Sequence, residues 1–185
     1  MIAPVPLTYP LASLLAEPFG TERRYDIHGA TLQLPDDLRL TEPIDGRVRV
    51  SRTNRGVLVD ARFSTAIAGS CSRCLRDIDL PMTVEVHEEV LPGVDLGSGK
   101  ALDRESEPEI ARLTDHHELD FGALAAEAIS LNEPIAPLCE SDCPGLCITC
   151  GERFGPGHAA HPDDDIDPRL AALRGFRVDG GRESE

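Results

Sequence analysis

The sequence predicts an α+β fold: an antiparallel β-meander covered by a helix, followed by a cysteine-rich C-terminal segment that something other than a core must order. Three observations predict it. Apolar and polar residues alternate in runs between residues 47 and 86, with turn signals between them. Apolar residues then recur at helical spacing from 121 to 129. Beyond 138 the chain is rich in Cys, Gly and His and too poor in large apolar residues to bury much of itself.

The first stretch carries Leu7, Leu11, Leu14 and Leu15 at helical spacing, interrupted by Pro4, Pro6, Pro10 and Pro18, and reads as an N-terminal arm. The meander begins where Val48 and Val50 alternate with Arg47, Arg49 and Ser51. Asn54-Arg55-Gly56 is a turn signal. Val57, Val59, Ala61, Phe63 and Ile67 form the apolar side of a second strand. Ile78, Leu80, Met82, Val84 and Val86 form that of a third, with Asp79, Thr83, Glu85 and His87 opposite. Cys71-Ser72-Arg73-Cys74 falls in the connection between the second and third strands.

Residues 92–118 read as an acidic loop containing Gly93, Gly97, Gly99 and Pro108. A helix at 120–131 follows, with Asp120 as its cap. Phe121, Leu124, Ala125, Ala128 and Ile129 form one apolar face, and Pro134 and Pro137 end the helix. The segment 138–161 holds the remaining cysteines. Asp167-Pro168 opens a short terminal helix at 168–174, with Leu170 and Leu173 available to dock it. The expected organisation is one domain over residues 1–178, its core sheet at about 25–91, and a disordered tail at 179–185.

The chain has 185 residues, 33 acidic and 18 basic, for a formal charge of −15. That balance repels phosphate and suits a basic protein partner. Aromatic residues are 4% of the chain and Trp is absent, which argues against an aromatic platform for stacking bases. No run is long and apolar enough to span a bilayer, and Met1–Gly20 lacks the basic start of a signal peptide. The expected compartment is the reducing cytoplasm, where six cysteines point to metal rather than disulfides.

Those cysteines are Cys71, Cys74, Cys139, Cys143, Cys147 and Cys150. Spacings of two or three residues let two thiolates of one turn reach one ion. Zinc takes four such ligands in a tetrahedron, with Zn–S distances of about 2.3 Å. Six cysteines exceed one set, and His158 and His161 extend the supply. Three arrangements are open. In the preferred one, Cys71 and Cys74 join Cys139 and Cys143, while Cys147 and Cys150 join His158 and His161. In another, Cys71/Cys74 and Cys147/Cys150 pair as a zinc ribbon. In a third, the four clustered C-terminal cysteines share one ion. On each, the C-terminal segment is zinc-ordered.

Redox catalysis fits poorly, because a thioredoxin-type CxxC opens a helix and neither pair here does so. Glu140, Asp142 and Glu152 read as solvated loop acids rather than the base of a catalytic zinc site. His116-His117 reads as a solvated loop pair. The sequence contains no P-loop, GxGxxG after a strand, GxSxG or HExxH.

Taken together, these residues resemble the YceD family, named for large ribosomal RNA subunit accumulation. The resemblance rests on Cys71-Ser72-Arg73-Cys74-Leu75, on the acidic loop before Leu119-Asp120-Phe121, on the run Pro137 to Gly151 (PLCESDCPGLCITCG), and on Asp167 to Leu173 (DPRLAAL). It covers roughly residues 7–175. Many relatives place a further CxC after CxxCG, where this chain has Gly155-Pro156-Gly157-His158-Ala159-Ala160-His161. Others lack the CxxCG but keep the CxRC and a downstream His/Cys pair. That pattern supports grouping Cys71 and Cys74 with Cys139 and Cys143.

The resemblance implies a non-catalytic bacterial metal-binding protein of large-subunit biogenesis, with zinc as its cofactor. A basic ribosomal protein or the pre-50S particle is the expected partner. A direct RNA-binding zinc module is the alternative, and it requires a basic patch such as Arg47, Arg49, Arg52, Arg55 and Arg62. A zinc-dependent enzyme or a thiol redox protein fits less well.

Overall fold

The computed structural model describes residues 7–35, 37–95, 98, 100–102, 110–159, 161, 169–170 and 173. Its elements are β1 (Thr8–Pro10), α1 (Ala12–Leu15), β2 (Glu22–Ala30), β3 (Leu40–Arg52), β4 (Val57–Ser70), β5 (Asp77–Val90), β6 (Glu118–Asp120) and α2 (Phe121–Leu131). Antiparallel pairing gives a four-stranded sheet in the order β2-β3-β4-β5 and a small β1-β6 pair. This is the α+β fold the sequence predicts.

The sheet has one strand more than the three expected. In β2 only Ile27 and Ala30 are buried, so its alternation is faint, and it is defined by pairing with β3 from Glu22↔Ser51 to Ala30↔Ile44. The N-terminal arm also departs from its helical spacing. Pro10 ends a short strand, only Ala12–Leu15 is helical, and Leu7, Leu11, Leu14 and Leu15 are all buried.

The core lies on one face of the sheet. Val48 and Val50 of β3, Val59 and Phe63 of β4, and Val84 and Val86 of β5 point into it, and α2 covers it with Phe121, Ala125 and Ile129. Leu124 and Ala128 of the helix are partly buried against the same cluster. Phe121 meets Phe63 edge-on, with ring centroids 6.0 Å apart. Gly46 lets β3 approach β4 here, because a Cβ on it would lie 2.4 Å from the Arg62 carbonyl oxygen.

Asp120 caps α2 as expected: its Oδ1 accepts from the Ala123 N–H at 3.1 Å. Asp120→Ala leaves that amide without its partner and is expected to cost about 1 kcal/mol, which urea denaturation would measure. Within the acidic loop, the Leu91 N–H donates to the Ala111 carbonyl at 2.9 Å, and the end of the loop forms β6. Contacts divide the chain into two compact units, Met1–Cys143 and Pro144–Glu185. The expected terminal helix at 168–174 and tail at 179–185 lie outside the described residues, apart from Arg169, Leu170 and Leu173.

Candidate metal centres

The β4–β5 connection is a six-residue turn, Cys71 to Arg76, that presents two sulfurs. The Cys71 N–H donates to the Arg76 carbonyl at 2.8 Å, and the Leu75 N–H returns to the Cys71 carbonyl at 2.9 Å. The second CxxC repeats this pattern. The Cys147 N–H donates to the Glu152 carbonyl at 2.7 Å, and the Gly151 N–H donates to the Cys147 carbonyl at 2.8 Å. Both turns need a left-handed residue after the second cysteine, Leu75 at φ 55° and Gly151 at φ 74°. Glycine takes that conformation without strain, whereas for leucine it costs roughly 1–2 kcal/mol. Such turns aim backbone N–H groups at sulfur, as Thr149 does toward Cys147 Sγ at 3.4 Å.

In the first unit, the sulfurs of Cys71, Cys74, Cys139 and Cys143 all lie within 4.8 Å of one another. Cys71 Sγ is 3.7 Å from Cys143 Sγ, and Cys74 Sγ is 3.7 Å from Cys139 Sγ. A tetrahedron with arms of about 2.3 Å has edges of about 3.8 Å, so the spacing fits a zinc-sized ion. Cys71, Cys74 and Cys143 are buried, with Ile78 packed against them. The Cys71 thiol is lowered to about 6, chiefly because the Cys74 backbone N–H donates to it, with smaller help from the backbone of Cys139 and Arg73. The Cys139 thiol is pushed up to about 12 by its hydrogen bond with Cys143 and by burial. A divalent cation held at the centre would favour the thiolate at all four.

Two further contacts tie the distant segment 137–143 to this turn. The Ser72 N–H donates to the Pro137 carbonyl at 2.8 Å, and Arg73 Nη1 donates to the Cys143 carbonyl at 3.0 Å. The sequence placed Arg73 within the CxRC motif, and nothing local announced its reach across the chain to Cys143. Its positive charge also suits a centre of four thiolates around a divalent ion. Arg73→Leu is therefore expected to weaken metal retention by 10- to 100-fold, as read by competition with a chromogenic chelator.

In the second unit, Cys147, Cys150, His158 and His161 place their ligand atoms within 4.8 Å of one another. Cys150 Sγ lies 3.3 Å from His158 Nε2. His161 Nε2 is buried without a hydrogen-bond partner among the described residues, and its ring meets that of His158 at 5.2 Å. An orphaned imidazole nitrogen beside two thiols and a second imidazole suits a Cys2His2 ion. The Cys147 thiol is lowered, chiefly by the backbone N–H of Cys150. Cys150 is exposed, so this group is more open than the first. Both groups are therefore chemically able to hold a metal ion.

The arginines offered as a basic patch are largely engaged elsewhere. Arg49 pairs with Asp60 at 2.8 Å, Arg62 with Glu85 at 3.0 Å and Arg55 with Glu89 at 3.9 Å. Arg52 turns inward to the Leu15 and Gly56 carbonyls and sits over the Phe19 ring. Glu140, Asp142 and Glu152 fall in neither metal group. No helix among the described residues is long and apolar enough to cross a membrane.

An antiparallel sheet with a cysteine turn at one hairpin, and a second such turn later in the sequence, defines a small α+β protein with two cysteine knuckles. The chain belongs to the YceD family, described as large ribosomal RNA subunit accumulation protein YceD, whose family model matches residues 59–177. It is similar to an uncharacterized protein of Mycobacterium tuberculosis strain H37Rv, 32% identical over 130 residues, covering 70% of this chain and 60% of the relative. It is also similar to an uncharacterized protein of Mycobacterium leprae, 31% identical over 133 residues, covering 71% of this chain and 58% of the relative. The chain thus spans about 60% of the length of the curated relatives it matches. No solved structure matches it.

Proposed function

We propose that this protein is a non-catalytic, cytoplasmic zinc protein that supports large ribosomal subunit biogenesis by holding a basic ribosomal protein. The convergence of Cys71, Cys74, Cys139 and Cys143 within 4.8 Å carries the metal reading. Cys147, Cys150, His158 and His161 are the ligands of a second ion. Zinc suits both sets, since thiolate and imidazole donors at tetrahedral spacing favour it over oxygen-seeking cations. Four protein ligands leave no open coordination position, which supports a structural rather than a hydrolytic role. When bound, the ion supplies folding free energy that the small apolar content of residues 138–161 does not. On this reading, residues 1–178 work as one functional module.

The ribosomal part of the reading is supported by the family's description and by the formal charge of −15, which suits cationic partners. Direct RNA binding is less well supported, because four of the five candidate arginines are paired or turned inward. Protein purified from growing cells without chelator should carry two zinc ions per chain by elemental analysis. Depleting it should lower large-subunit rRNA relative to small-subunit rRNA. An unchanged rRNA ratio, or protein free of metal after such purification, would overturn the proposal.

A further inference from the structure

Strand β5 is an outer strand of the sheet, and along its 14 residues it pairs only with β4 among the described residues. Leu91, just past its end, fixes which way its backbone groups face. Its N–H donates to the Ala111 carbonyl at 2.9 Å, and its carbonyl accepts from the Leu113 N–H at 2.8 Å. Both groups therefore point away from β4. Backbone direction alternates with period two, so Glu89, His87, Glu85 and Thr83 also present N–H and C=O outward. Among the described residues no backbone group meets them.

Helix α2 runs beside this edge and makes a groove of it. Leu124, Ala128 and Leu131 give an apolar floor, and Glu85, Glu88 and Glu127 give acidic walls. Leu131 is 79% exposed, a large apolar side chain left open beside a strand edge. Glu88 and Glu127 have no ion-pair partner among the described residues. Asp77, Asp79 and Glu133 extend the acidic row at the other end of β5.

We infer that this groove takes an extended, cationic segment of a partner protein as a fifth strand on β5. Backbone hydrogen bonds to Thr83, Glu85, His87 and Glu89 provide the pairing. Basic side chains of the segment meet Glu88 and Glu127, and apolar ones rest on Leu124 and Leu131. Charge selects this occupant. A second copy of β5 would set acid against acid across the new ladder, the chain's own 103–109 segment is itself acidic, and a nucleic acid would be repelled. The identity of such a partner as ribosomal rests on the proposed function, but the geometry does not.

The test uses the full, metal-loaded chain and a capped ten-residue peptide alternating Arg and Val. Binding should slow amide exchange at Thr83, Glu85, His87 and Glu89. It should weaken at least tenfold when alternate peptide nitrogens are methylated. It should also weaken at least tenfold in the Glu88→Lys/Glu127→Lys variant, whose two sites are exposed and whose circular dichroism should match the parent. Protection on another surface, indifference to N-methylation, full binding by the double variant, or dimerisation through β5 in sedimentation would each overturn the inference. Recovery of large-subunit proteins separates it from the reading beneath. If parent and double variant recover the same basic protein equally, the groove is refuted and the ribosomal role stands. If the parent recovers none while the peptide docks as described, the groove stands and the ribosomal partner falls.

Discussion

With two zinc ions bound as proposed, Cys143→Ser should reduce bound zinc from two ions to one per chain and free residues 137–143 from the β4–β5 turn. Serine keeps the size of the side chain but replaces a soft thiolate with a hydroxyl that is not ionised at neutral pH. Its neighbours Cys71 and Cys139 then lack a partner that stood 3.7 Å from Cys71 Sγ. Structural zinc supplies on the order of 10 kcal/mol in small zinc-finger peptides, so losing one ligand removes a large share of what holds this segment. Among the ties that remain are the Ser72 N–H on the Pro137 carbonyl and Arg73 on the Cys143 carbonyl. Amide exchange at Ser72 should rise by orders of magnitude, while exchange in the centre of β4 should stay slow, because the sheet has its own apolar core. Chelation of the parent protein should produce the same contrast. Two ions retained by the variant, with Ser72 still protected, would refute the four-thiolate centre.

The sequence made the cysteine turns legible because such turns are local. A CxxC turn, with its left-handed residue at Leu75 or Gly151, is specified within six residues. Grouping the knuckles is a different problem, since Cys74 and Cys139 meet only through the path of the chain between them. Three arrangements were therefore compatible with the spacing, and the fold brings together the members of one. Helix α2 was readable because its five apolar residues and its cap act within one element. Strand β2 was not, because only Tyr25 and Ile27 carry its apolar alternation before the register shifts between Ile27 and Ala30. Arg73 and the β5 edge escaped for the same reason as the grouping, as each acquires its meaning from residues distant in sequence.

Phe121→Ala should destabilise the first unit by about 3–5 kcal/mol, the largest effect expected from any single core truncation here. Phe121 is fully buried at the first position of α2, where it joins three parts of the molecule. Its ring meets Phe63 of β4 edge-on and lies 6.3 Å from the Tyr9 ring of β1. Its backbone N–H donates to the Leu7 carbonyl at 2.9 Å, so the N-terminal arm, the helix and the sheet share this point. A cavity here has rigid walls, because β4 is held on both sides by β3 and β5 and cannot collapse inward. The melting temperature should fall by about 10 °C, at about 2–4 °C per kcal/mol for a chain of this size. Phe121→Leu, which keeps most of the volume but loses the edge-on ring contact, should cost less than half as much. Zinc content below the transition should be unchanged in both variants, because neither metal group includes a residue of α2. Loss of zinc together with stability would instead mean that the metal centres depend on the core that α2 closes.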